Sequence, residues 1–449
     1  MPATPVKTAA PVAWRTDAPA RSLGFALQGL QAFAMAPIPL FLTALAAMLL
    51  RHPDVDFYEV DRVAFVVLVL SVAAQYLISR HRAGVVERAS WPMLGLAMLA
   101  IFSVAGQPYD NQTWSLLAAK FIVPFALFHI AAQVFRTEAH LRQFEVFALI
   151  VLAYLCFTSI AFLVGAKQLI FPHYILDESL GYHADRARGP LLQAVANGVS
   201  LNLLGILALH AFLRRRIRGL PATLLLASLP LAILATMTRA VWLSFAASMG
   251  YLIFRSRNRR LRLIAAAVAL VGVLSLLIIL SFDDQRRTFS DRLSESGPVE
   301  FRKAVYTGGW EMFLEKPLFG WGVNQMPAEL ARHVSGYKHK ELFPHNTYLE
   351  ILVEHGVLGL ALYLWVVWEI FQLGRSPVPR AEAAGFLNQH FHAIWPVLLS
   401  VYCINAMVVV MNYQFVNGIV FTMAGMLAAQ RRRAASEAGV SLRIIHRAA

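Results

Sequence analysis

The sequence predicts an all-α integral membrane protein, and three observations lead to this fold class. Hydrophobic residues make up 58% of the 449 residues and charged residues only 15%, whereas soluble domains contain about 25% charged residues. Many apolar runs reach the ~20 residues that a helix needs to cross the hydrocarbon core of a bilayer. Lysine and arginine recur in every second connection between these runs, which is typical of loops on the cytoplasmic side.

About twelve transmembrane helices are predicted. The apolar runs that define them lie at 26–50, 63–79, 91–106, 114–135, 143–165, 190–212, 220–238, 240–254, 261–281, 347–371, 391–411 and 413–430. Pro37 and Pro39 interrupt the first run, which is therefore either a kinked span or an interfacial helix followed by a span. Internal repeats and a separate soluble domain are not predicted.

The loop charges predict that both termini are cytoplasmic. Residues 1–22 are polar and rich in proline and alanine without an apolar core, which favours a cytoplasmic tail over a signal peptide. Two long loops, about 166–189 and 282–346, then lie outside. The predicted organisation is a cytoplasmic tail at 1–22, spans one to nine within 23–281, a helical periplasmic cap loop at 282–346, spans ten to twelve within 347–430 and a cytoplasmic tail at 431–449.

The charge distribution and the cysteines exclude several classes of function. The net charge is +14, but most of the basic residues lie in short loops, where they set orientation and do not form a nucleic-acid surface. Cys156 and Cys403 both lie inside apolar runs, so neither a disulfide framework nor a metal cluster is predicted.

Four arginines on the predicted outer side are not explained by membrane orientation. Arg186 and Arg188 precede the sixth span, Arg239 lies between two apolar runs with almost no loop, and Arg302 lies in the cap loop. An ionisable residue close to the hydrocarbon usually marks a ligand or a partner. Because a guanidinium group forms bidentate, charge-assisted hydrogen bonds, these arginines predict a diphosphate site.

Other interpretations of the same arginines stay open. Arg186 with Asp185 and Arg302 with Glu300 are also compatible with ordinary surface ion pairs. Arg239 has no acidic neighbour in the sequence, but an arginine at the end of a span can extend its side chain to the membrane interface.

His345 stands immediately before the tenth predicted span, at the end of the cap loop. Thr347 and Glu350 have the spacing of a capping box, with threonine as N-cap and glutamate at the third helical position. The positive end of the helix dipole would disfavour a protonated imidazole. A neutral imidazole can act as general base toward a sugar hydroxyl. A loop histidine that is hydrogen-bonded to a carbonyl group is an equally open interpretation.

Two acidic groups suggest weaker alternatives. Asp54 and Asp56 in the first outer loop resemble the acidic pair that binds a divalent metal in some lipid-linked sugar transferases, although acidic residues also simply favour outer loops. Glu350, Glu354 and His355 on the tenth span would suit a proton path in a transporter. No metal site is predicted from these patterns.

The cap loop and the tenth span also resemble a known family. The resemblance to the O-antigen ligase and polymerase superfamily rests on Arg302, Trp310, Pro317-Leu318-Phe319-Gly320-Trp321-Gly322, His345-Asn346-Thr347-Tyr348-Leu349-Glu350, Gly356 and Gly359. It implies a bacterial inner-membrane protein with a glycosyltransferase C-like fold and a periplasmic active site. It also implies metal-independent, inverting transfer of a glycan from undecaprenyl diphosphate without a cofactor.

Carried over to this chain, the resemblance gives His345 the task of activating or positioning the acceptor hydroxyl. The same resemblance gives diphosphate binding to Arg186, Arg188, Arg239 and Arg302, and supporting roles to Asn346, Tyr348 and Glu350. The partners that it implies are undecaprenyl-diphosphate-linked O-antigen, the lipid A–core oligosaccharide as acceptor and the lipid bilayer, with no nucleic acid.

Related activities stay open within and outside this superfamily. O-antigen polymerases and ligases that glycosylate proteins share the histidine-loop region. A single outer loop of moderate size without an added soluble domain favours the lipopolysaccharide ligase. A transporter of lipid-linked glycans would use the same arginines for binding alone, but inverted repeats, which are common in transporters, are not visible.

Overall fold

The computed structural model describes residues 28, 36–51, 60–79, 86–181, 183–282, 287, 297–334, 342–379 and 382–448, and the side chains of 297–299 and 438–448 are not included. Throughout these segments the regular structure is helical and contains no strand, as the sequence predicted. The predicted tail at 1–22 and the Asp54/Asp56 pair lie outside the described residues.

Fourteen helices have both ends within the described segments. They are α1 (Pro37–Leu49), α2 (Val60–Ser79), α3 (Ser90–Ala105), α4 (Asn111–Val134), α5 (Glu138–Leu163), α6 (Ala194–Leu213), α7 (Gly219–Ala235), α8 (Arg239–Arg255), α9 (Arg259–Leu280), α10 (Gly297–Glu315), α11 (Met326–His333), α12 (Thr347–Leu373), α13 (Gln389–Ala406) and α14 (Gln414–Ala448). The last helix therefore continues through most of the predicted C-terminal tail.

Six of the described helices, α2, α4, α5, α6, α9 and α12, are long and apolar enough to cross a membrane. Helices α1, α3 and α7 are apolar but shorter, with 13, 16 and 17 residues. Each predicted apolar run overlaps one helix outside the cap loop. The positions of the runs are thus confirmed, while the count of twelve spans stays a prediction.

Helix α6 forms the centre of the bundle, because almost all of its side chains are buried against α5, α7, α8 and α13. Polar residues join these helices inside the apolar core. The amide groups of Asn202 on α6 and Asn405 on α13 donate to the Ser244 hydroxyl on α8, at 3.3 and 3.0 Å. Helix α9 lies at the periphery, because only 17% of its apolar stretch is buried inside the protein.

The cap loop has a small apolar core of its own. Helix α10 includes the helical segment predicted from Arg302 to Glu315, and it packs against α11 through Val305, Met312 and Leu330. Val353 of α12 closes this core from the membrane side. The described part of the cap is therefore fixed directly on the first turns of the helix that follows His345.

Helix α12 is broken at Gly356, whose φ of 64° and ψ of −167° are not helical. The segment 317–322 lies against the break. The Trp321 and Gly322 amides donate to the carbonyl groups of Val353 and Glu354, at 2.9 and 2.8 Å, and the Val357 amide donates to the Pro317 carbonyl, at 2.8 Å. A break inside a membrane helix requires such partners for its backbone groups.

Candidate functional site

His345 precedes a capped helix, but the cap is not the predicted one. The Asn346 side chain accepts hydrogen bonds from the Tyr348 and Leu349 amides, at 3.0 and 3.2 Å. Asparagine is a strong N-cap because its carbonyl oxygen satisfies two otherwise unpaired amides. The predicted capping box of Thr347 and Glu350 is therefore wrong, because Asn346 is the N-cap and both side chains have partners elsewhere in the fold.

Thr347 and Tyr348 fix the first turn of α12 to the outer end of α13. The Thr347 hydroxyl donates to the Val409 carbonyl and accepts from the Met411 amide, both at 2.9 Å. The Tyr348 hydroxyl donates to the Cys403 carbonyl at 3.1 Å. The turn that carries His345 is thus held by backbone groups that follow α13 and by its last residues.

His345 is half-buried and adopts a left-handed backbone conformation, with φ of 47°. Its ring lies 6.3 Å from the ring of Phe301 on α10. Burial lowers the pKa of His345 below its ordinary value, and the positive charges of Arg302 and His183 lower it further. The imidazole is therefore neutral near pH 7, as a general base requires.

His183 belongs to the site, although the sequence analysis did not identify it. It lies in the loop between α5 and α6 with a φ of 58°, and its carbonyl accepts the Arg186 amide at 3.1 Å. No local sequence signal distinguishes His183 from an ordinary loop histidine. Its place in the site follows from its charge, which lowers the pKa of His345 although the two residues are distant in sequence.

Arg186 and Arg188 lie in the same loop but have different surroundings. The buried Arg188 guanidinium donates to three carbonyl groups of its own loop, those of Ile175, Asp177 and Leu180. Arg186 is only partly buried, with its Nε 3.8 Å from an Asp185 carboxylate oxygen. The contacts of Arg188 give it a structural role, so the predicted direct contact with a diphosphate fits Arg186 better.

Arg239 is brought to this loop by the tight turn between α7 and α8. The Ala187 amide donates to the carbonyl group of Ala235, the last residue of α7, at 3.1 Å. Arg239 is the first residue of α8 and its side chain is exposed. This bond links the loop of Arg186 to the turn of Arg239, and His183 of the same loop is near enough to His345 to lower its pKa.

Arg302 also lines a groove on the outer surface of the cap. The groove has a volume of about 650 Å³ and is bounded on one face of α10 by Arg302, Lys303, Tyr306, Thr307 and Trp310. Trp310 is 52% exposed. Two cationic side chains beside exposed aromatic rings suit an anionic glycan, because aromatic faces pack on apolar sugar faces and guanidinium groups bind phosphate.

A buried ionic triad lies beneath His345, and the sequence analysis did not identify it as a unit. The Lys120 ammonium group lies 2.8 Å from a Glu350 carboxylate oxygen and 3.0 Å from one of Glu354, with all three side chains buried. Lys120 occupies a π-helical turn of α4, Ala118–Ile122. Such turns are frequent at functional sites. Glu350 is therefore paired with Lys120 and takes no part in a helix cap.

The triad also holds the end of the segment that lies against the break in α12. The second carboxylate oxygen of Glu354 accepts the Asn324 amide at 2.9 Å. The Asn324 side chain donates to the Thr113 hydroxyl at 3.0 Å, and Thr113 donates to Asp110, the N-cap of α4. Of the residues considered for a proton path, Glu350 and Glu354 are thus both paired with Lys120. The His355 ring is buried, and neither of its nitrogens has a hydrogen-bond partner among the described residues.

Clusters of three or more potential metal-ligating side chains are absent from the segments that the structure describes. Asp54 and Asp56, the pair considered for a divalent metal, lie outside these segments.

Comparison with known families adds one finding. Residues 221–364 match a family model described as O-antigen ligase. No curated protein matches the chain. The matched region extends from α7 through the cap to the middle of α12, so it includes Arg239, Arg302 and His345 but neither Arg186 nor Lys120. The match confirms the resemblance to the O-antigen ligase and polymerase superfamily that the motifs of the cap loop predicted.

Proposed function

Since residues 221–364 are those of an O-antigen ligase domain, we propose that the protein is the ligase that completes lipopolysaccharide. It transfers a glycan from undecaprenyl diphosphate to a hydroxyl of the lipid A–core oligosaccharide. The reaction takes place on the periplasmic face of the bacterial inner membrane. The observation that carries the proposal is the half-buried His345 beside Arg302, since both residues lie within the matched family region.

In the proposed reaction, His345 accepts the proton of the acceptor hydroxyl. The hydroxyl oxygen attacks the anomeric carbon of the donor sugar from the face opposite the diphosphate, which inverts its configuration. The bond between that carbon and the diphosphate oxygen breaks, and undecaprenyl diphosphate leaves with the bonding electrons. His345 then releases its proton to water.

Arg186, Arg239 and Arg302 are proposed to bind the diphosphate. Negative charge grows on the diphosphate as the glycosidic bond breaks, and pre-positioned guanidinium groups stabilise that charge. Diphosphate is already a good leaving group, so positioning and electrostatic stabilisation suffice in this mechanism. Arg188 is proposed to act indirectly, because it holds the loop that carries Arg186.

The test is transfer by the purified protein in nanodiscs. The donor is undecaprenyl-diphosphate-linked O-antigen, the acceptor is lipid A–core, EDTA is present, and a gel shift of the lipopolysaccharide is the readout. We expect a ladder with the wild type and none with His345→Ala, while the variant still binds the donor.

Three results would contradict parts of the proposal. Normal transfer by His345→Ala would exclude the general-base role. Extension of the donor glycan without a shift of lipid A–core would identify a polymerase of the same superfamily. Product that forms only when a divalent metal replaces EDTA would assign a role to metal, with Asp54 and Asp56 as the first residues to examine.

A further inference from the structure

A second cavity lies far from His345, at the opposite end of the central helix. It has a volume of about 440 Å³ and opens where α6 ends and where α7 and α9 begin. Helix α6 has 20 residues and is therefore about 30 Å long. Its first turn contacts the loop of Arg186 through Asn197, which donates to the Ala187 carbonyl at 2.9 Å. The cavity thus lies at the other boundary of the membrane.

The lining of this cavity combines positive charge with apolar surface. Three arginines, Arg215, Arg218 and Arg260, line it. The apolar side chains of Phe212, Leu213 and Leu263 form much of the remaining wall. A mixed lining of this kind fits a ligand with an anionic head and hydrocarbon beside it.

The three arginines that line the cavity differ from the neighbouring arginines in their ion pairs. Arg214 and Arg216 form ion pairs with Glu138 and Glu145 at the end of α6. In the described part of the chain, no carboxylate pairs with the three arginines that line the cavity, and Arg218 donates to the Arg215 carbonyl at 2.8 Å. The cavity is therefore lined by arginines whose charge no carboxylate of the described segments neutralises.

Apolar residues lead from the cavity to the lipid-facing surface. Leu263 on α9 is 60% exposed, and Leu220 on the first turn of α7 is 70% exposed. Leu224 lies one turn further along the same face of α7 and is also exposed. Helix α9 continues this surface with exposed leucine and valine side chains. Hydrocarbon chains that enter here would lie along α9.

We propose that the cavity binds the headgroup of an anionic phospholipid from the cytoplasmic leaflet. The phosphodiester is held by Arg215, Arg218 and Arg260 in charge-assisted hydrogen bonds, and the acyl chains lie on the exposed faces of α7 and α9. Basic pockets between helices at the cytoplasmic boundary suit such headgroups. The assignment to this leaflet follows from the positive-inside topology, and lipid binding is independent of whether glycan transfer occurs.

The test compares lipids of different headgroup charge. Full-length protein is delipidated in a non-ionic detergent and titrated with dioleoyl phosphatidylglycerol or dioleoyl phosphatidylcholine. Bound lipid is counted by native mass spectrometry, and Tm is followed in parallel. We expect phosphatidylglycerol alone to bind and to raise the Tm of the wild type.

Two triple variants locate the binding. Arg215→Gln/Arg218→Gln/Arg260→Gln should bind phosphatidylglycerol at least tenfold more weakly. The matched control removes the same charge from the same end of the molecule, at Arg255, Arg257 and Arg262, which do not line the cavity. The control should stay within twofold of the wild type. The single variant Arg260→Gln, at an exposed helix position, provides the same comparison with the least effect on folding.

Several outcomes would overturn the proposal. Equal weakening in both triple variants would show unspecific attraction by charge. Equal binding of phosphatidylcholine would exclude recognition of an anionic headgroup. An equal rise in Tm with inorganic phosphate at the same concentration would identify a site for free anions.

Discussion

The Lys120 ammonium group on α4 lies 2.8 Å from a carboxylate oxygen of Glu350. Glu350 belongs to the first turn of α12, which follows His345. The same ammonium group reaches Glu354 at 3.0 Å. Lys120 therefore connects the membrane bundle to the helix turn that presents His345 and to the segment that fills the break in α12. One cation balances two buried carboxylates. Removal of the cation should therefore destabilise the protein more than removal of either acid.

Lys120→Met is expected to destabilise the protein by about 3–5 kcal/mol, because it leaves two buried carboxylates without a cation. Glu350→Gln retains the pair of Lys120 and Glu354 and should cost about 1 kcal/mol, similar to one ordinary hydrogen bond. Thermal unfolding in detergent shows which of the two variants has the lower Tm, and we expect this to be Lys120→Met. A Glu350→Gln protein that unfolds as early as Lys120→Met would contradict the charge argument.

Gly356→Ala is expected to disrupt the break in α12. An alanine Cβ at this position would lie 2.2 Å from the Leu318 carbonyl oxygen, and the φ of 64° is strained for any residue with a side chain. The strain alone costs about 1–3 kcal/mol. Displacement of the segment 317–322 should also lower turnover, since this segment joins the cap to the helix of His345.

Gly250→Ala is the matched control for Gly356→Ala. Gly250 lies inside α8, and a Cβ there would meet no atom within 4 Å. Alanine in a helix interior is favoured over glycine by about 0.5–1 kcal/mol, so this variant should unfold at the same temperature or higher. Equal destabilisation by both variants would mean that the geometry at Gly356 is not the cause.

The positions of the helices could be predicted because hydrophobic length and loop charge are local properties of the sequence. The break at Gly356 and the π-helical turn at Lys120 could not, because each depends on a partner that is distant in sequence. The segment 317–322 supplies the backbone groups at the break, and Glu350 and Glu354 supply the counter-charge for Lys120.

Site residues could be proposed from the sequence where an ionisable side chain was not explained by membrane orientation. Arg302 and His345 are two such residues, and they lie close enough for Arg302 to lower the pKa of His345. Thr347 was misassigned as the helix cap because its hydroxyl has a tertiary partner, the Val409 carbonyl, that no local pattern reveals. His183 was missed for the same reason.

The loop between α5 and α6 contains Arg188, which has structural contacts, and Arg186, which is proposed to bind the diphosphate. Arg188→Gln should destabilise the protein and expose residues 166–189 to protease, because a buried carbonyl that loses its donor costs about 1–3 kcal/mol. Arg186→Gln should leave stability unchanged but weaken donor binding at least tenfold, if Arg186 binds the diphosphate. Limited proteolysis, Tm and donor affinity are measured for both variants. A stable, protease-resistant Arg188→Gln protein with weak donor binding would instead restore the direct contact of Arg188.

The pH dependence of transfer tests the environment of His345. Its pKa lies below the ordinary value of about 6.5 because of burial and the positive charges of Arg302 and His183. A base is lost when it is protonated, so the rate should fall only as the pH drops below 6.5, through the lowered pKa. Arg302→Gln removes one of the positive charges and should move this acid limb to higher pH, toward 6.5.

Lys303→Gln is the control for this shift, because Lys303 is the next residue on α10 but does not contribute to the lowered pKa of His345. Its acid limb should coincide with that of the wild type. Since Arg302 is also proposed to bind the donor, the position of the limb and not the maximal rate is compared. The profile is recorded as kcat/KM for the donor against pH, because this quantity reports the pKa of the enzyme without bound donor. An acid limb above pH 6.5 in the wild type, or an unchanged limb in Arg302→Gln, would mean that the titrating base is not His345 beside Arg302.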